Sequence, residues 1–376
     1  LFTFVITVNS QNSVPIKMET QVLDSTSTVF KYIYKVLGIV QFSYSKVPPK
    51  RKFSKIAARL WGVLSYGYFI SICVFFDTVI YDDKIMVYID VVAFHGNVIL
   101  IVVLVMFYRR SDKIKTLLLR IDEVVVPLNY TPTEKSRTKK ILVRVLLVSS
   151  LIPVVVGYSL RERATYIIFI SCCTLNAFDN IFLNDILDCL SEKFATINEI
   201  FRNLACNTRS KKTNNINFVI HSLQNLSHTH YDLVILALQT ANQFEITILA
   251  ETAHCFLSTV DGIYTIITMI SSESTTTVKF MANFGQVVFS FCWFYVLIAK
   301  FCETEDAANA AALYLHKIWN TNVSRKTMSE KFRHVELISI RMFNTRIRFN
   351  ACGFFNLDWV FCQLVIVCLF CEEVMV

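Results

Sequence analysis

The sequence predicts an all-α polytopic membrane protein: a seven-transmembrane helical bundle with a cytoplasmic N-terminus and helical cytoplasmic extensions. Three observations predict it. The 376 residues are 54% hydrophobic and only 18% charged, with a mean hydropathy of +0.48. That is more apolar surface than a water-soluble chain of this size can hide. Seven apolar runs each approach the roughly 20 residues that cross a bilayer as a helix. Finally, 33 of the 37 lysines and arginines fall in alternate connections between those runs, and basic residues near spans are retained on the cytoplasmic side.

The elements follow in order. Residues 1–56 are a cytoplasmic N-terminal segment rich in basic residues, from Lys17 to Lys55. Its first stretch, Leu1–Val8, is apolar but too short, and lacks the basic start of a signal peptide. Met18 is the expected natural start, with residues 1–17 an artefact of a gene model. Residues 57–302 hold six spans: Ala57–Phe76, Tyr88–Tyr108, Ile141–Leu160, Ala164–Leu183, Ile246–Ile270 and Lys279–Ala299. Pro153 is expected to kink the third, which lipid-embedded helices tolerate when neighbours satisfy the freed backbone groups. Residues 303–350 form a cytoplasmic helical segment, opening on the alanine-rich stretch Ala307–Leu315 and continuing as an amphipathic one. Residues 351–376 hold the last span, Ala351–Cys371. The outer connections are short, and the inner ones long and helical in pattern, as expected where cytoplasmic extensions prolong the spans.

The same tally assigns the net charge of +8 to membrane topology and to the anionic inner leaflet, so membrane lipid is a partner and nucleic acid is not. Most of the twelve cysteines lie in apolar runs and read as small hydrophobes, not as a disulfide framework. Cys368 and Cys371 form one C-x-x-C without a second ligand pair at zinc spacing. The sequons at Asn129, Asn225 and Asn322 fall on the inner side and are expected to be unglycosylated.

The fifth run carries the most informative constellation. Thr247, Glu251, His254, Ser258, Asp261 and Thr265 recur at steps of three and four, which puts all six on one helical face. A charge at mid-membrane costs about 2.5–3.5 kcal/mol on insertion scales, so that face is expected to meet the bundle interior or a water-filled cavity. It reads as a polar ligand pocket or ion vestibule, or else as a hydrogen-bonded seam. His95 and Asn97 in the second run, and Asn283 and Gln286 in the sixth, share the outer half with Ser258, Asp261 and Thr265 and could line one cavity. Asn176, Asp179 and Asn180 lie in the inner half of the fourth run.

Enzyme signatures are absent: there is no G-x-x-x-x-G-K-[ST], no H-E-x-x-H and no G-x-S-x-G. No catalytic residue, metal ligand set or cofactor is implied. A G-protein-coupled receptor would place its N-terminus outside, opposite to the charge count. A secondary transporter would show internal repeats or broken helices, and neither is visible.

The segment from Phe349 to Trp359 carries a resemblance. Gly353-Phe354-Phe355-Asn356-Leu357-Asp358 resembles the G-[FL]-F-x-[LIV]-D stretch that opens the final helix of insect gustatory receptors. The seven spans, cytoplasmic N-terminus and long inner connection before the last helix are similar to that family from about Gln21 onward. The resemblance implies a tetrameric, ligand-gated, non-selective cation channel of taste neurons, homomeric or mixed with other gustatory receptors, in the cell membrane of sensory dendrites. It implies a small-molecule tastant, bitter compounds first and sugars second, bound within each subunit toward the outer side. It also implies a central pore lined by the last helix, with Asp358, Trp359 and Gln363 as pore residues. The family's T-Y-x-x-x-x-x-Q-F ending is absent, since the chain reads Cys368 to Val376 with Glu372-Glu373 in its place. That departure is expected to reflect a truncated, mis-spliced or degenerate ending. Two rival readings are a transporter using Glu251, His254 and Asp261 as an ion relay, and a non-conducting receptor subunit.

Overall fold

The computed structural model describes residues 113–124, 144–145, 165–209, 216–271, 277–323 and 330–371. The N-terminal segment, the first two predicted spans and all of the third but 144–145 lie outside the described residues.

Three long helices dominate: α1 (Thr165–Arg209), α2 (Ile216–Ser271) and α3 (Thr277–Val323). Each joins a predicted span to its cytoplasmic continuation without a break. The reason is legible in the residues. None of the three contains proline, and only Gly262 and Gly285 interrupt them with glycine, so nothing removes a backbone donor or loosens the helix where lipid gives way to water. Among the described residues, Ile220–Ile270 and Val287–Asn320 are long and apolar enough to cross a membrane.

The three helices run up, down and up, with α1 packed most extensively on α3 and α2 closing over both. The apolar stripes meet in a core whose largest fully buried side chains include Phe182, Phe194, Phe201, Phe244 and Phe301. Phe182 meets Phe244 at 6.5 Å between ring centroids, and Phe194 sits edge-on to His230 at 5.4 Å. A helical segment over 113–124 adds Ile114, Leu118 and Ile121 to this core.

Buried polar bonds cluster on the inner side of the predicted spans. Arg144 pairs with Asp185. Lys300 bridges Asp188 and Glu303, the latter at 3.0 Å. The Lys193 ammonium donates to the Ile121 carbonyl at 2.9 Å. Such buried pairs add little net stability against an apolar alternative, but breaking one strands a charge, so they penalise a slipped register.

Below the bundle, the short helix α4 (Glu330–Asn344) turns Val335, Ser339 and Met342 inward at helical spacing and leaves Leu337 and Ile340 uncovered. After a linking segment over 346–349 the chain forms a two-stranded antiparallel hairpin, β1 (Asn350–Ala351) and β2 (Phe355–Asn356). The last helix, α5, spans Trp359–Cys371.

This corrects the sequence expectation that the last span is helical from Ala351. The helix opens eight residues later because Cys352 and Gly353 take left-handed φ values of 51° and 75°. Two successive positive φ values make the tight turn that matches strand twist, and the Phe354 N–H closes it on the Ala351 carbonyl at 2.9 Å. Gly353 is required there for its backbone freedom and not for space, since a side chain at that position would meet nothing within 4 Å.

Candidate functional site

The polar face predicted on the fifth span lies in the second half of α2. Thr247, Glu251 and Ser258 are buried, while His254 and Thr265 are half-buried. The face therefore turns inward through its first turns, as its spacing requires. The side chains of Asp261, Asn283 and Gln286, and all of His95 and Asn97, lie outside the described set. An outer cavity joining them is therefore not assembled from described residues.

Opposite Glu251, α1 presents Asp179 and Asn180 as the neighbours of its carboxyl group. Asp179 and Glu251 are each 3% exposed. The Glu251 carboxyl meets the Asn180 side chain, and one Asp179 oxygen has no hydrogen-bond partner among the described residues. The same holds for the Asn184 side-chain amide, the Thr252 and Thr265 hydroxyls and the Trp293 indole N–H. An unmet polar atom at membrane depth costs several kcal/mol. The seam between α1 and α2 can thus accept hydrogen bonds and positive charge.

The second feature is α5. Its opening is built by the motif residues. The Leu357 N–H donates to the Phe349 carbonyl at 2.9 Å, which closes the hairpin base. Phe355 stacks on Phe361 at 3.9 Å. Leu357 is buried, and its carbonyl receives the Cys302 thiol of α3 at 3.7 Å. The Asp358 carboxylate accepts the Phe361 N–H at 2.9 Å, three residues on, and so caps the helix. Gly353, Phe355, Leu357 and Asp358 thus each have a local job in turning the chain and starting the helix. Phe354 is left 77% exposed.

Beyond that start, α5 meets the bundle along one narrow stripe. Phe361, Cys362 and Val365 face inward, and Phe361 contacts Phe294 edge-on at 5.8 Å. Trp359, Val360, Gln363, Leu364, Ile366 and Val367 are uncovered by the rest of the chain. Trp359 touches only the similarly exposed Tyr295, at 5.3 Å, among the described ring contacts.

Comparison with known proteins settles the family. The sequence matches the 7tm chemosensory receptor family over residues 30–374. The chain belongs to that family. No curated protein sequence matches it. The receptor's fold is similar to that of the insect olfactory receptor OR5 from Machilis hrabei, with a TM-score of 0.69 at 12% identity, covering 92% of this chain and 97% of that one. It is also similar to the same olfactory receptor solved in complex with eugenol, with a TM-score of 0.63 at 11% identity and the same coverage. At these identities the likeness is one of fold. The receptor is therefore a seven-transmembrane chemosensory protein of the membrane, related to the insect gustatory and olfactory receptors.

Sequence reasoning found the polar face of the receptor but did not join it to Asp179 and Asn180. Spacing along one helix shows which residues share a face, and says nothing of the helix that face meets. The hairpin was missed for another reason: its residues are as apolar as the span they precede. Its signal was local, a Cys-Gly turn followed by an Asp three residues before Phe361.

Proposed function

We propose that this receptor is a taste receptor: a subunit of a ligand-gated, non-selective cation channel, tetrameric and homomeric or mixed with other gustatory receptors, in the dendritic membrane of sensory neurons. The observation that carries the reading is the exposure of α5. A helix that packs on its own bundle by one stripe and leaves Gln363 uncovered amid apolar residues is poorly suited to lipid on its other sides. An amide facing hydrocarbon is costly, and intramembrane polar groups face bundle interiors or water. Four copies of α5 around a central axis would give Gln363 an aqueous lumen and bury the apolar flank between subunits.

The ligand site of this reading is the outer continuation of the α2 face, with His254, Ser258, Asp261 and Thr265 as lining residues beside His95, Asn97, Asn283 and Gln286. Small plant-derived bitter compounds are the leading ligand class, with sugars second. The complex of the related olfactory receptor fold with eugenol supports a small organic ligand.

The test is expression in cells, alone and with co-expressed gustatory receptors, under whole-cell recording with a panel of bitter compounds and sugars. A tastant-evoked current that reverses near zero in mixed sodium and potassium supports the reading. Proton-coupled substrate flux without such a current overturns it. Asp261→Ala is expected to shift the dose–response curve of an active tastant while surface expression is unchanged. An unaltered curve removes Asp261 from the site.

A further inference from the structure

The segment 346–349 leads from α4 to the hairpin and lies outside both of its strands. The Phe349 carbonyl accepts the Leu357 N–H at the hairpin base, and the other described backbone bonds of the segment go to side chains of α3. The Asn309 amide donates to the Ile347 carbonyl at 3.1 Å, and its oxygen accepts the Ile347 N–H at 3.0 Å. One turn earlier, the Glu305 carboxylate takes the Phe349 N–H. One turn earlier again, the Phe301 ring meets the Phe349 ring at 5.1 Å. Phe301, Glu305 and Asn309 are four residues apart and so share one face of α3.

The geometry explains why this works. Four residues along a helix advance about 6 Å. Two residues of drawn-out chain advance about 6.6 Å. Glu305 and Asn309 are thus spaced to meet Phe349 and Ile347. Ile347 and Phe349 are each 1% exposed, so neither backbone could turn to water if the rail were lost. The rail is itself held from behind: the Asn198 amide of α1 donates to the Ala307 carbonyl at 2.7 Å, and the His230 ring of α2 donates to the Ala308 carbonyl at 2.9 Å.

We infer that Glu305 and Asn309 are positioning residues that couple α3 to the last helix, gripping the 346–349 segment by its backbone so that a shift of α3 carries the hairpin and the start of α5 with it. The coupling rests on the channel reading of α5, since it is there that a moved helix start changes a pore. The grip does not depend on which side chains the segment carries. The Cys302 thiol, bonded to the Leu357 carbonyl, extends the same contact to the residue before the cap.

The test has two arms on the full-length receptor. In the first, amide hydrogen exchange is followed across 345–358 in wild type, Asn309→Leu and Asn309→Asp. Loss of one backbone hydrogen bond is expected to speed exchange at the Ile347 N–H about tenfold in Asn309→Leu. Asn309→Asp retains the acceptor and is expected to stay near wild type at that amide. In the second arm, ligand-evoked current is compared at matched surface expression. Asn309→Leu is expected to lower the maximal current while leaving ligand binding intact, because Asn309 lies roughly 35 Å along α3 from Gln286, the nearest proposed ligand residue on that helix. Glu305→Gln keeps an acceptor for Phe349 and is expected to restore most of the current lost in Glu305→Leu. Unchanged exchange at Ile347 in Asn309→Leu overturns the rail. Faster exchange with unchanged current overturns the coupling. Absence of current in wild type overturns the channel reading, and the exchange arm still decides the rail.

Discussion

The inner and outer halves of the bundle are built from the same three helices, and they are held together by different means. On the inner side, Phe194, Phe201, Phe301 and Leu315 are fully buried, and α1, α2 and α3 are tied by side chain-to-carbonyl bonds and the Lys300 bridge. On the outer side, Tyr264, Ile267 and Ile270 of α2 and Met281, Phe284 and Val288 of α3 are uncovered by their own chain. Between them, an Asp179 oxygen and the Thr252 hydroxyl are buried without partners among the described residues. The inner half is the more tightly bonded within one chain, although Leu313, Leu337 and Ile340 stay exposed there too. The outer half leaves both apolar surface and polar valence for something else: lipid, other subunits, or a ligand. Free energies of local opening are lowest where such internal contacts are fewest.

The comparison breaks most readily at the core. Phe301→Ala is expected to cost about 3–5 kcal/mol, enough to remove most folded protein, because it deletes a fully buried ring and leaves a cavity. Tyr264→Ala, on the uncovered flank, is expected to change stability by under about 0.5 kcal/mol. Thermal melting of the detergent-purified receptor measures both. Equal losses would erase the distinction between the halves.

A smaller effect is expected at the hairpin that joins the inner half to α5. Gly353→Ala forces a side chain onto a φ of 75° and should cost about 1 kcal/mol. Asp358→Ala removes the cap on Phe361 and should cost a similar amount, about 1 kcal/mol, whereas Asp358→Asn retains an acceptor and should be near neutral. Melting curves of the three variants rank them. An Asp358→Asn loss as large as that of Asp358→Ala would give the carboxylate a role beyond capping.

The smallest effect concerns pH and is confined to the inner half. His230 lies in the cytoplasmic part of α2, before the predicted span, where burial holds its pKa below the ordinary 6.5 and its bond to the Ala308 carbonyl pulls partly back. As pH falls below 6.5 the unfolded chain takes up a proton that the folded chain resists. The stability contributed by neutral His230 is therefore full above about that pH and is lost as pH falls toward the folded pKa. His230→Gln should flatten the acid limb of the stability curve below pH 6.5 while leaving the neutral limb parallel to wild type. A wild-type stability that rises on mild acidification would reverse the assignment.

Much of this architecture was legible in composition and spacing. The fourth apolar run from its second residue on, and all of the fifth and sixth, are found within α1, α2 and α3, and the amphipathic stretch before the last span is α4. The inward turn of Thr247, Glu251 and Ser258 follows from helical period alone. What stayed hidden depends on pairs of elements. Asp179 is one acid in an apolar run until α2 sets Glu251 beside it. Asn309 looks like any polar residue in an alanine-rich stretch, and only the fold brings Ile347 to it across 38 residues. The hairpin was obscured because apolar composition carries the signal for a span through residues whose φ values forbid a helix.

The length of α2 has a mechanical meaning. At 56 residues it measures about 84 Å, nearly three times the hydrocarbon thickness of a bilayer. It is an unbroken beam, with no proline to act as a joint. If it pivots near the membrane centre, a tilt of about two degrees moves its inner tip by about 2 Å, since that arm is roughly 60 Å long. A displacement too slight to alter the contacts around a bound molecule is thereby amplified into one large enough to separate hydrogen-bonded groups at the far end.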